Sequence, residues 1–294
     1  MTASPDLFPM LAQRMFNTPL ALHPSKAEVA LAALAERLGI ARVDTGRPGA
    51  FDDDGDFGRP GRAARAGYDL VSGVAMIQVE GILVQKTGTL RPYSGMTGYD
   101  GLRANFLAAL NDPDAEAIVL DLNSPGGEVA GCFDLADTIF AARGGKPIWG
   151  ICSEIAYSAA YALASACEFI TVPRTGGTGS VGVISMLVDY SKAITDAGLA
   201  VHFIHYGDQK AEETRQAHTG VKPALLKRIQ EDVDRMGELF VETVARNRGM
   251  AVEAVRGQQA AHYLGDKGVA EGLADAVMAP DEAFRALITE LDRA

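Results

Sequence analysis

The run Ile118-Val119-Leu120-Asp121-Leu122 is apolar at all but one position and lacks the alternation of a strand with one face in water. Such a run fits a strand covered on both faces, which is the rule in sheets whose crossovers are helices. The chain around it agrees. Residues 74–84 (VAMIQVEGILV) read as strand, turn, strand. A polar loop covers 85–98, and a helix then carries Leu102, Phe106 and Leu110. After residue 122 come a helix over 129–143, a strand over 147–152, an Ala-rich helix over 159–166 and a strand over 169–172. Strands over 181–188 and 201–206 flank a helix over 192–197, and a long amphipathic helix runs over 223–248. Alternation of strand and helix predicts an α/β domain built from right-handed crossovers.

That domain is expected over residues 68–280, followed by a C-terminal helix over 281–294. Residues 1–40 read as a small helical extension. Ser25 and Glu28 form a capping box after Pro24, Leu31, Leu34 and Leu38 share one face, and Gly39 supplies a stop. Residues 41–67 are rich in Gly, Asp, Arg and Pro, the composition of a flexible linker.

Thirty-eight acidic residues against 27 Lys plus Arg leave a net charge of -11, which excludes a protein that coats nucleic acid. Cys132, Cys152 and Cys167 are odd in number and scattered. They form no disulfide framework or zinc pattern and read as small buried residues of a reducing compartment. His23, His202, His205, His218 and His262 show no H-x-x-x-H spacing. No apolar run is long enough to span a membrane, and the N-terminus lacks the basic and apolar regions of a signal peptide. A cytoplasmic protein is expected.

Glycine is frequent, at 32 residues, and two places repay attention. Asn123-Ser124-Pro125-Gly126-Gly127 follows the buried strand and precedes a helix. A strand end with paired glycines exposes backbone N–H groups that suit a developing oxyanion, although an ordinary strand-to-helix turn uses the same residues. Residues 153–161 (SEIAYSAAY) follow the next strand and open a helix of small residues. Ser158 there has the setting of a nucleophile, and equally of a helix cap, a role for which Ser153 competes. A nucleophilic serine needs a base, and no His lies between His23 and His202. Lys210, just past a strand end in YGDQK, is the other candidate, since a lysine desolvated beside a serine can act as a general base.

SPGG, AYSAAY, TGSVGV (residues 178–183) and YGDQK, in this order, resemble the Ser–Lys peptidases of the signal peptide peptidase A, or protease IV, family. The resemblance covers residues 74–277 and includes the late segment GDKGVAEGLADAV. It implies the ClpP/crotonase-like spiral of repeated β-β-α units. It also implies Ser158 as nucleophile, Lys210 as general base and Ser180 as the residue that orients the lysine. The oxyanion hole would be the N–H groups of Ala159 and Gly127, with Gly126 as the alternative to the latter. No metal or organic cofactor is implied. The family's Ser-Gly-Gly-Tyr stands here as Ser158-Ala159-Ala160-Tyr161, which keeps the N–H after the nucleophile. The N-terminal piece NTPLALHPSKAEVALAALAERLGI is similar to the phage and prophage branch, the head-maturation proteases that process scaffold and capsid proteins. No scaffold-like domain is read after residue 277.

The expected function is therefore a Ser–Lys endopeptidase acting in phage head maturation, in the host cytoplasm or inside a prohead. A peptidase clearing leftover signal peptides keeps the chemistry and changes the role. A crotonase-like acyl-CoA enzyme, a ClpP-like Ser-His-Asp triad and an inactive relative are the remaining readings; the Ser158, Ser180 and Lys210 set argues against the first and last, and the absence of a His between Ser158 and His202 against the triad. A homo-oligomer is implied by the resemblance, as is a protein or peptide substrate. Small residues around Ser158 hint at a pocket for a small or apolar side chain.

Overall fold

The computed structural model describes residues 18–23, 67–207, 209–211 and 218–293. The helix expected between Ser25 and Gly39 and the linker up to residue 66 lie outside them. In chain order the elements are β1 (Leu20–Leu22), β2 (Asp69–Val71), β3 (Val74–Val84), β4 (Met96–Gly98), α1 (Tyr99–Asn111), β5 (Ala117–Glu128), α2 (Cys132–Ala141), β6 (Ile148–Tyr157) and α3 (Ala159–Ser165). There follow β7 (Phe169–Val172), β8 (Gly177–Gly179), α4 (Ser191–Asp196), α5 (Pro223–Arg248), α6 (Val252–Gly257), β9 (His262–Leu264), α7 (Gly265–Ala270), β10 (Ala276–Val277) and α8 (Pro280–Leu291).

The strands make one sheet whose main path is β10-β7-β6-β5-β3-β2. Every neighbour on that path is parallel except β2 on β3. The α/β expectation holds, and the strand that led to it is covered on both faces. Ile118, Leu120 and Leu122 enter the main core with residues of α1, α2 and α3. Ala117 and Val119 face the other way, into a smaller cluster closed by Ala283 and Leu287 of α8. Burying each of these large side chains contributes roughly 1.5–3 kcal/mol.

Three strands are longer than the sequence suggests, and their far halves build the site. Residues 74–84 are a single strand with a bulge between Glu80 and Ile82, not a strand, turn and strand. Gly81 sits at the bulge with φ 66°, where a side chain would strike the Gly95 carbonyl. The SPGG segment is the second half of β5 rather than a turn, and α2 begins only at Cys132. The paired glycines thus lie in a strand and not at a helix N-terminus. Buried backbone groups must find partners, and here other strands supply them. Gly126 and Gly127 pair with Ile82 and Leu83 of β3. The far half of β6 leaves β7 and takes β8 as its neighbour, aligning Tyr157 with Gly179.

The strands expected over 181–188 and 201–206 are absent. Ile184 makes one isolated bridge, to Leu20, and residues 201–206 are irregular. His202 and His205 are exposed and share no strand face. Residues 181–188 are partly buried, against Leu20 and Leu22 among others, whereas residues 201–206 gain little cover from their own chain. Helix α5 starts and stops as expected, at Pro223 and before Gly249, whose φ is 63°. Apart from Leu225, its buried residues are confined to the end from Phe240 to Asn247. The three cysteines are free and buried, and burial pushes the Cys132 and Cys167 thiols up to about 12. Among the described residues no helix is long and apolar enough to cross a membrane.

Candidate active site

Strand β6 ends at Tyr157, α3 begins at Ala159, and Ser158 is the single residue between them. Its backbone has φ 54° and ψ -121°. A positive φ at a residue with a Cβ costs about 1–2 kcal/mol, so the surroundings must hold it there. The Ser158 N–H donates to the Gly179 carbonyl at 2.8 Å, and the Ser158 carbonyl accepts from the Ala162 N–H at 3.0 Å. Ala159, Ala160 and Tyr161 are fully buried behind it, and the Tyr161 hydroxyl donates to the Leu273 carbonyl at 3.0 Å. At the far end of α3 the Arg143 guanidinium donates to the carbonyls of Ser165, Ala166 and Cys167. Small residues let α3 lie this close, which is the local meaning of the Ala-rich sequence.

The capping alternative does not describe Ser158, because its side chain makes no cap hydrogen bond. Its hydroxyl reaches only the Gly182 carbonyl, at 3.4 Å. A serine on a strained strand-to-helix turn, with its hydroxyl held away from the helix, has the geometry of a nucleophile. Ser153, the competing cap, instead donates to the Asp121 carboxylate.

Gly126 and Ala159 meet Ser158 in one small volume. The point where a Cβ on Gly126 would stand is 3.0 Å from Ser158 Cβ and 3.0 Å from the Ala159 nitrogen. Gly126 has φ 99°, and its N–H donates to Ser124 Oγ at 3.1 Å. Ser124 in turn donates to the Gly81 carbonyl at 2.6 Å. Gly127 has no room for a side chain either, since its Cβ would fall 1.8 Å from the Leu83 carbonyl oxygen. Ser180 follows β8 directly, also with a positive φ of 59°, and is 6% exposed. Its N–H donates to the Ala261 carbonyl at 2.8 Å.

The fold therefore brings together Ser158, Ser180, Gly126, Gly127 and Ala159. Lys210 makes no hydrogen bond to any of them. Lys210 is exposed, and its side chain makes no hydrogen bond or ion pair among the described residues. Its segment also carries Leu199, Ile204 and Tyr206, all strongly exposed to solvent.

Sequence reasoning passed over three features here. His23 stacks on Tyr157 with ring centroids 5.0 Å apart, and its Nε2 lies 3.3 Å from Nδ1 of His262. Strand β1 lies antiparallel against residues 126–128 of β5. Ser124 holds the Gly126 N–H, a role that the SPGG spacing itself could have suggested.

Residues 141–292, which include Ser158, Ser180 and Lys210, match the model described as Peptidase family S49. The chain belongs to peptidase family S49. Its similarity to phage members extends beyond that match. It is 34% identical over 306 residues to the capsid assembly protease C of Escherichia phage lambda, covering 99% of this chain and 68% of that protein. It is 35% identical over 284 residues to the head-tail preconnector protein GP5 of Enterobacteria phage P21, covering 94% of this chain and 56% of that protein. Protease 4 of Haemophilus influenzae is a more distant S49 relative, 24% identical over 74% of this chain and 34% of its own length. The chain thus spans little more than half of the phage P21 protein.

Proposed function

We propose that the chain is a serine endopeptidase of phage head maturation, with Ser158 as nucleophile and Lys210 as general base. The observation that carries this reading is the strained Ser158 turn, with Gly126 and the Ala159 N–H beside it. Ser158 attacks the substrate carbonyl and forms an acyl-enzyme. Lys210 takes the hydroxyl proton, passes it to the leaving amine and then activates water. Ser180 orients the lysine amine. Because the Gly126 N–H is engaged by Ser124, the oxyanion donors are the N–H groups of Gly127 and Ala159. Gly126 contributes by what it lacks, leaving the oxyanion's place free of a side chain. Similarity to two phage proteins over nearly the whole chain favours scaffold and capsid proteins as substrates over general peptide clearance.

The active form is a homo-oligomer in which a neighbouring copy supplies Lys210. Supporting this, Ser158 is 1% exposed in its own chain while Lys210 and the apolar Ile204 and Tyr206 around it project into solvent. Large exposed apolar residues on one segment mark a surface that another molecule covers.

Fluorophosphonate labelling and proteolysis test both statements. Wild type labels at Ser158, and the Ser158→Ala and Lys210→Ala variants are each inactive. Mixed after partial denaturation and refolding, the two inactive variants regain activity, because one gives the serine and the other the lysine. Absence of labelling on Ser158 refutes the nucleophile, and full activity of Lys210→Ala refutes the base. Labelling without regain on mixing places both residues in one subunit.

A further inference from the structure

Strand β1 lies where a substrate would. On one side it runs antiparallel along the SPGG half of β5, aligning Leu22 with Gly126, Ala21 with Gly127 and Leu20 with Glu128. The His23 N–H donates to the Pro125 carbonyl at 2.9 Å, and the Val129 N–H donates to the Pro19 carbonyl at 3.3 Å. Antiparallel pairs alternate between bonded and non-bonded, so Ala21 and Gly127, midway between those two, form the bonded pair. The Ala21 carbonyl therefore faces the Gly127 N–H. On its other side Leu20 exchanges both backbone hydrogen bonds with Ile184, each at 2.8 Å.

The Ala21 carbonyl also faces the nucleophile. Its oxygen is 2.2 Å from the point where a Gly126 Cβ would stand, and that same point is 3.0 Å from the Ala159 nitrogen and from Ser158 Cβ. One peptide carbonyl of the chain thus lies among the groups assigned to the oxyanion and the nucleophile. The side chains fit the same description. Leu20 and Leu22 are buried against Ile184 and Met186, and Ala21 is wholly enclosed in the main core. Ser158 is 1% exposed in the chain that carries this strand, so reagents and substrates reach it only in molecules from which the strand has withdrawn.

We infer that residues 19–23 are a built-in occupant of the peptide groove. The groove selects extended peptides with a small residue at the carbonyl facing Ser158 and branched aliphatic residues on both sides. The inference rests on the peptidase reading above. Edge-strand addition supplies affinity through the backbone while enclosed side-chain positions supply selectivity. Ala21 is fully enclosed and flanked by two buried leucines. The occupant must leave before an external strand can bind, so the free enzyme is held below its intrinsic activity by the fraction of open molecules.

The test uses the full-length chain and fluorophosphonate labelling of Ser158. Replacing Leu20 and Leu22 with Asp expels the strand, and labelling is expected to rise by about tenfold or more if the closed form predominates. Leu20→Ala with Leu22→Ala gives a smaller rise, and it decides by the same criteria should the aspartates prevent folding. The free peptide Pro-Leu-Ala-Leu-His slows labelling of the opened variant, whereas the same peptide with Trp in place of Ala does not. Equal labelling of all forms, with no effect of either peptide, overturns the occupant and leaves the peptidase standing. A folded variant that labels more slowly than wild type shows that the strand is a wall of the site, and overturns it too. No labelling at Ser158 in any form refutes the peptidase reading itself.

Discussion

Gly126→Ala and Gly127→Ala add the same methyl to adjacent residues, and the structure separates their effects. At Gly126 the new Cβ falls 2.2 Å from the Ala21 carbonyl oxygen of the short strand β1, which must shift, and 3.0 Å from Ser158 Cβ and from the Ala159 nitrogen, in the space assigned to the oxyanion. The backbone there has φ 99°, so alanine adds about 1–2 kcal/mol of strain. Misaligning one oxyanion donor lowers kcat by about 10²–10³-fold. Gly126→Ala is therefore expected to lose about that factor in kcat while its Tm falls by about 2–8 °C from the backbone strain, with the displacement of β1 added to it. At Gly127 the Cβ falls 1.8 Å from the Leu83 oxygen and 2.6 Å from the Leu83 nitrogen, both backbone atoms of β3. Neither can swing aside as a side chain would. The far halves of β3 and β5 must part, with the loss of several backbone hydrogen bonds at roughly 1 kcal/mol each. Gly127→Ala is expected to lose about 2–4 kcal/mol, to unfold at a clearly lower urea concentration and to fall in activity through loss of folded protein.

The assay is peptide hydrolysis per mole of titrated Ser158, with urea unfolding of the same samples. Normalising to titrated serine removes the unfolded fraction and isolates the chemical step. If Gly126→Ala keeps wild-type turnover per titrated site, the oxyanion does not form beside Gly126 and the donor assignment is wrong. If Gly127→Ala is as stable as wild type, the tight β3–β5 approach is wrong.

Arg143→Met removes donors to the carbonyls of Ser165, Ala166, Cys167 and Asn247, tying the end of α3 to α5, and is expected to cost about 3 kcal/mol or more in urea unfolding. A loss below about 1 kcal/mol would show that water replaces those bonds. Tyr68 is buried and donates to Asp112 at 2.7 Å, and burial, then that hydrogen bond, raises its pKa to about 12. The folded state holds this proton more tightly than the unfolded chain. The resulting stability is complete below the ordinary phenol pKa of about 10 and is lost as pH rises through about 12. Tyr68→Phe should flatten the dependence of the urea midpoint on pH in that window, and an unchanged slope refutes the assignment.

The parts of the fold that could be read from sequence are those decided locally. Residues 118–122 are apolar on both faces whatever surrounds them, and α5 carries its own boundaries in Pro223 and Gly249. The helix after Ser158 is likewise written in a run of small residues. What failed was decided by partners far away in sequence. The SPGG segment looks like a turn because Pro and Gly usually make one, yet here β3 and β1 pair with it and keep it extended. The runs 181–188 and 201–206 have the composition of strands, but apolar content alone cannot tell a strand from a surface awaiting a partner. Ile204 and Tyr206 stand in solvent near Lys210, on the surface that the proposed neighbouring copy would cover. Ser158, the proposed nucleophile, stands out in sequence by its motif, while the geometry that distinguishes it from a cap, φ 54° and a hydroxyl turned to Gly182, does not.

One physical condition links the misread segments. Residues 19–23 and 184–186 are short and held by partners distant in sequence, and residues 199–207 stand largely in solvent. Segments of that kind open more easily than the continuous core of β3, β5 and β6, and moving parts of binding sites are drawn from them. The rigid half of the site, Ser158 with Gly126, Gly127 and Ala159, is anchored in the core. On the proposed reading, the half that moves or arrives is the short strand β1 and the exposed segment that carries Lys210. A peptidase built this way would be assembled inactive and switched on by association.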